Sequence, residues 1–150
     1  MTDGATSRQL VQAQWDAFNR GDMGAAAEFF AENTRNHGRA VGRAGVLVVL
    51  KDIQTTFPDV RFVALEYVAE GEWVSVRGMF SGTHLGIGQI PVNGGLLVGV
   101  QPTGRRFEVQ HIHMFQLRDR EIVEHFANRD DLGMMQQLGL LPTPGLPAAR

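Results

Sequence analysis

Cysteine is absent from this 150-residue sequence. That excludes disulfides, a thiol nucleophile and a zinc–thiolate site. Lysine is nearly absent too: Lys51 stands alone, and the other basic residues are arginines. The formal net charge of −2 gives no electrostatic basis for binding nucleic acid or an anionic membrane. Long apolar runs are missing. The longest, near Val46 to Leu50, is far too short to span a bilayer. The opening MTDGATSRQ is polar and unlike a secretory signal. These absences predict a soluble cytoplasmic protein with no nucleic-acid or membrane partner. Glycine fingerprints for dinucleotides or phosphates are also missing, as is the Gly-x-Ser-x-Gly elbow of serine hydrolases. The length predicts one domain over 1–150, ordered over about 6–140, with a proline-rich tail over 141–150.

What is present divides into helices and then strands. Thr6-Ser7 are expected to cap a first helix carrying Leu10, Val11, Trp15 and Phe18 at helical spacing. Gly21-Asp22 stop it, and a shorter helix follows with Ala26, Phe29 and Phe30 on one side. Asn33 to Gly38 reads as a polar loop. Val46, Leu50, Ile53 and Phe57 mark one face of a third helix, which Pro58 ends. From Val60 the period becomes two. Strands are expected over 60–69, 73–82, 105–117 and 121–129, with Glu70-Gly71-Glu72 and Pro102-Thr103-Gly104 as turns. The glycine-rich stretch 85–99, with a turn at Asn93-Gly94-Gly95, suggests a mobile lid or an interface hairpin. A closing helix spans 130–140. Helices followed by antiparallel strands argue for an α+β fold. A curved sheet wrapped against the helices would leave a cone-shaped pocket suited to a small, largely apolar ligand.

The chemistry concentrates in the last hairpin. His111 and His113 share a strand face with Phe107, Val109, Phe115 and Leu117. A lone histidine there would be a satisfied core residue, but two on one face suggest proton transfer. His-x-His can also bind a metal in cupin barrels. Here the further ligands are missing, because Glu121 lies beyond the turn, so no metal site is expected. Asp130-Asp131 are more acid than one helix cap requires, and Asp130, directly after the strand, is the expected acid or base. Of His125 and Phe126 one points inward, and the larger aromatic is expected to do so. His37 and His84 are placed at the pocket rim, Trp15 in its wall, and Arg129 in a surface ion pair. Phe57, Phe115, Phe126 and Asn128 complete the expected lining.

Three groups of residues carry a resemblance. Phe57-Pro58-Asp59-Val60 is the first. The second is Phe80-Ser81-Gly82-Thr83-His84-Leu85-Gly86, with Pro102-Thr103-Gly104-Arg105. The third is Ile122-Val123-Glu124-His125-Phe126, running on to Asp130 and Leu132-Gly133. Together they resemble the SnoaL-like polyketide cyclases, within the superfamily that shares the nuclear transport factor two fold. The resemblance implies a cone-shaped α+β barrel: a curved antiparallel sheet packed on three N-terminal helices, with a short C-terminal helix. It also implies a homodimer and cofactor-free acid–base chemistry on a polyketide-like small molecule in secondary metabolism. In the cyclases an aspartate and a histidine serve an intramolecular aldol condensation. His113, assisted by His111, matches the histidine, and Asp130 is the best match for the aspartate. Ala127 stands where many relatives carry an acid. The other readings are an isomerase, an epoxide hydrolase, and a binding or accessory protein with the same pocket.

Overall fold

The computed structural model describes residues 3–91, 96–142 and 145. The expected Asn93-Gly94-Gly95 turn and most of the closing TPGLPAAR segment lie outside them.

Helix α1 spans Gly4–Asn19 and starts earlier than its Thr-Ser pair suggests. Its cap is Asp3, whose carboxylate accepts from the Thr6 N–H at 2.8 Å. Asp22 caps the short helix α2, Met23–Glu28, in the same way through the Ala25 N–H. Phe29 and Phe30 do not continue this helix. Phe30 opens strand β1, Phe30–Asn36, where a polar loop is expected from the sequence. The two-residue strand β2, Arg39–Ala40, folds back on β1 through a tight turn at His37 and Gly38. Both turn residues have positive φ (50° and 75°), the conformation that suits two-residue hairpins. Helix α3, Gly42–Thr56, follows as its apolar period predicts.

Strands β3 (Arg61–Glu70), β4 (Trp73–Thr83), β5 (Arg106–Arg118) and β6 (Glu121–Arg129) agree with the expected strands to within a residue or two. The short helix α4, Asp131–Gln137, ends the fold. The strand order is β2-β1-β6-β5-β4-β3. β3 to β6 form an antiparallel meander, but β1 joins β6 in parallel. The sheet is therefore mixed, not wholly antiparallel as expected. It is curved but unclosed, since β2 and β3 form its edges, so the expected barrel is a half-cone.

The polar sequence of β1 explains why it does not read as a strand. Only Phe30, Ala31 and Thr34 are buried along it, and Thr34 Oγ1 donates to the Ile122 carbonyl at 2.9 Å, which locks β1 onto β6. The sheet's concave face carries Phe62, Val74, Val76, Phe80, Phe107, Val109, Phe115 and Leu117, all buried. Trp15 of α1 packs on Phe62 with ring centroids 4.1 Å apart. At about 1.5–3 kcal/mol for each large buried apolar side chain, this layer dominates the stability of the fold. Val46, Leu50 and Ile53 of α3 pack at its edge and stay half-buried, because beyond them the concavity is open. Gly86 holds the chain after β4 against the end of α3. Its N–H donates to the Thr56 carbonyl at 3.1 Å, and a side chain there would collide with the Thr55 carbonyl.

Candidate active site

The concavity between α1, α3 and the sheet encloses a cavity of about 580 Å³. Trp15, Phe18, Leu50, Ile53 and Phe57 form apolar walls on the helical side. Phe80, His111, His113, Phe115, His125 and Arg129 line it from the sheet. Asp52 of α3 accepts the Gln89 and Ile90 N–H groups at 2.9 and 3.1 Å, tying the loop after β4 to the cavity rim.

A chain of buried and half-buried polar side chains runs across the sheet side. His125 Nδ1 lies 3.0 Å from Asn36 Oδ1. His125 Nε2 lies 2.9 Å from His113 Nδ1. His113 Nε2 lies 3.3 Å from His111 Nδ1. Because Asn36 presents an acceptor, His125 donates from Nδ1. A neutral imidazole has one donor and one acceptor, so each following ring is then fixed. His113 donates from Nδ1 to His125, and His111 donates from Nδ1 to His113. The series ends at His111 Nε2, a lone pair with no hydrogen bond to any described residue. This atom is not among the sealed, unpartnered side-chain polar atoms, which are Ser7 Oγ, Gln14 Oε1, Trp15 Nε1, His84 Nε2 and Asp131 Oδ1. It therefore opens to the cavity.

Burial keeps these rings neutral, helped by the nearby Arg129 charge. Both effects push His111 and His125 down to about 3. His113 is held well below the ordinary histidine range, first by burial and then by its two histidine neighbours. Packing holds the rings in place: His111 stacks on Phe80 at 4.4 Å, and His113 meets the Trp15 edge at 4.9 Å.

Two carboxylates line the cavity, and with Asp52 engaged by backbone N–H groups the free one is Asp131. Its Oδ1 is sealed without a partner. Burial raises its pKa, although the Arg129 charge opposes the rise. Asp130, the residue expected from the sequence, is exposed and does not line the cavity. Its Oδ1 accepts the Gly133 N–H at 2.8 Å, the bond of a helix cap. The two aspartates thus divide the roles of capping and facing the ligand, and the order is the reverse of the expected one.

The chain and its fold have counterparts among known proteins. The family model of the SnoaL-like polyketide cyclases matches residues 8–138. This chain belongs to that family. It is 29% identical over 148 residues to the aklanonic acid methyl ester cyclase DnrD of Streptomyces peucetius, covering 93% of this chain and 96% of that one. It is 27% identical over 129 residues to the nogalonic acid methyl ester cyclase of Streptomyces nogalater, covering 82% and 90%. The solved structure of TsrD from Streptomyces laurentii superposes with a TM-score of 0.78 at 29% identity, over 94% of this chain and all of that one.

Of the residues singled out in the sequence, Trp15, His37, Phe57, His111, His113 and Phe115 line the cavity. Three expected lining residues do not. Phe126 and Asn128 point outward from β6 and are exposed. His84 is fully buried beneath the 102–105 turn, where its Nδ1 accepts the Thr103 N–H at 3.2 Å. His125, not Phe126, faces inward. The cause is a register irregularity between Gln116 and Leu117. Ile122 pairs with inward Leu117, but Glu124 pairs with outward Gln116. Counting by twos from Ile122 therefore places every later residue of β6 on the wrong face. Arg129 moves with the same register, from an expected surface ion pair to the cavity wall opposite His111.

The neutral rings have a measurable consequence. Their folded pKa values lie below the unfolded value of about 6.5. The stability they contribute is therefore complete above that value and is lost as pH falls from about 6.5 toward 3. Each ring contributes a slope of up to about 1.4 kcal/mol per pH unit. Asp131, whose pKa is raised, works in the opposite direction and only partly offsets them. Urea midpoints should fall steeply between pH 7 and pH 5. A flat profile would mean that the rings are already charged in the folded protein.

Proposed function

We propose that this protein is a polyketide cyclase that closes a ring by intramolecular aldol condensation without a cofactor. The observation that carries the reading is the row of neutral histidines ending at His111 Nε2 inside an apolar cavity. His111 Nε2 takes a proton from a carbon next to a carbonyl, and the C–H electrons become an enolate. The enolate carbon attacks a second carbonyl of the same molecule. The new C–C bond forms as the carbonyl π electrons move to oxygen. The protonated form of Asp131, which burial favours, delivers its proton to that alkoxide, and solvent exchange returns the proton from imidazolium to carboxylate. Product and substrate are isomers.

The low basicity of His111 limits the substrate. A ring this reluctant to hold a proton removes one only from activated carbon, such as a methylene between two carbonyls. His113 and His125 extend the acceptor: once His111 is charged, shifts along the row spread the charge over three rings. Ala127 supports a second reading. Its methyl stands opposite His113 at the position where an acid is common in relatives, so the pocket could bind a polyketide without converting it. Incubation with anthraquinones that carry a β-diketone side chain, each as the ring carboxylic acid and as its methyl ester, followed by chromatography and mass spectrometry, separates the two. A new species of unchanged mass supports the cyclase. Saturable binding with no product over hours sinks it.

The same reading makes the protein a cytoplasmic homodimer. Among the described residues no helix is long and apolar enough to cross a membrane. The outer sheet face supports self-association, since it exposes Ile112, Met114 and Phe126, with Val63 and Leu65 on β3. Met114 and Phe126 are direct cross-strand partners. Light scattering should give twice the chain mass, and Met114→Lys should lower it to that of one chain. A wild-type monomer at micromolar concentration would contradict the dimer.

A further inference from the structure

Arg129 is a half-buried cation that the proton transfer does not use. It ends β6 on the concave face, in register with His111, and lines the cavity. Among the described residues no carboxylate comes within 4.0 Å of it and it makes no hydrogen bond. The arginines that do have such partners pair at the surface, as Arg77 does with Glu66. The other charged groups of the cavity give it no contact ion pair, although the Asp131 charge favours it from a distance. Arg35 is engaged with Glu124 at 3.6 Å. Arg39 adds a further exposed cation at the mouth. Asp52 is occupied by two backbone N–H groups. Only Asp131 remains near Arg129, and burial drives it toward its neutral form.

A ligand that fills this cavity displaces the water around Arg129. The cost of stripping a guanidinium falls on binding, before any proton moves. Compensation must therefore come from a charge that the ligand already carries in its ground state. An enolate, which forms later, arrives too late for that. We propose that the substrate is a free carboxylic acid, bound as its carboxylate by the Arg129 guanidinium. This deepens the cyclase reading of the same cavity and rests on it. The DnrD and Streptomyces nogalater cyclases are named for methyl ester substrates, whose carboxyl charge is capped. The carboxylate would also neutralise the cation facing His111 and make that ring a better proton acceptor.

The test is a pair of probes, anthraquinone-2-carboxylate and its methyl ester, titrated calorimetrically at pH 7.5. A charge-assisted hydrogen bond to Arg129 should make the acid bind about 10- to 100-fold tighter. Arg129→Met should abolish that preference, and Arg129→Lys, which keeps the charge, should retain part of it. His111→Gln should leave the preference intact, because binding precedes the chemistry. Equal affinity for the two probes in the wild type, or an undiminished preference in Arg129→Met, overturns the carboxylate site and leaves the cyclase reading standing. Binding of neither probe removes the ligand pocket itself, and both readings fall together.

Discussion

His111→Gln should lower kcat by about 100- to 10,000-fold, the range that a positioned general base supplies. KM should change little, because the ring contributes one edge of a wall built mainly from Trp15, Phe57, Phe80 and Phe115. Glutamine has a similar reach and can still hydrogen-bond toward His113, so the row is perturbed only at its open end. His111 is buried against Phe80, so a thermal melt belongs with the kinetics. A loss of stability of about 1–3 kcal/mol is expected from an imperfectly satisfied polar group. That leaves a folded protein at assay temperature if overall stability is typical. Wild-type turnover in this variant would remove His111 from the reaction. A smaller loss on replacing His125 with glutamine is expected if the row shares the charge that His111 takes up.

The second large effect separates two adjacent carboxylates. Asp131→Asn should cost about 100- to 10,000-fold in kcat, since the amide cannot deliver a proton to the alkoxide. Asp130→Asn should leave kcat unchanged, because asparagine caps a helix about as well as aspartate. Asp130→Ala should cost about 1 kcal/mol of stability through loss of the bond to Gly133, again with normal turnover. The pH profile gives an independent reading. The acid must hold its proton, so kcat falls as pH rises through the Asp131 pKa, which burial sets above the ordinary carboxylate range. That limb should vanish in Asp131→Asn. If Asp130→Asn proves to be the inactive variant, the assignment from the cavity is wrong.

Much of this site could be read from residue order, and the failures have local causes. β5 alternates without interruption, so the shared inward face of His111 and His113 follows from parity alone. The apolar face of α3 is equally plain, because its period persists through Phe57. β6 is different. One irregularity of register reverses its parity after Ile122, and no residue in Ile122-Val123-Glu124-His125 marks where it falls. That single step turns His125 and Arg129 inward, and it turns Phe126, expected inward for its size, outward with Asn128. β1 was hidden by its composition. Its polar side chains read as a loop, yet one of them, Asn36, sets the direction of the hydrogen bonds along the histidine row. Parallel pairing to a strand about ninety positions away leaves no local signal. The Asp130-Asp131 pair failed by one residue, the usual uncertainty at a helix start.

The central claim is that His111 offers an unprotonated Nε2 to the cavity, and nitrogen-15 NMR of the histidine rings at pH 7 tests it most directly. Neutral rings protonated at Nδ1 are expected for His111, His113 and His125, with Nε2 of His111 bare. A proton on Nε2 of His111 would contradict the account, because the row would then offer the cavity no base.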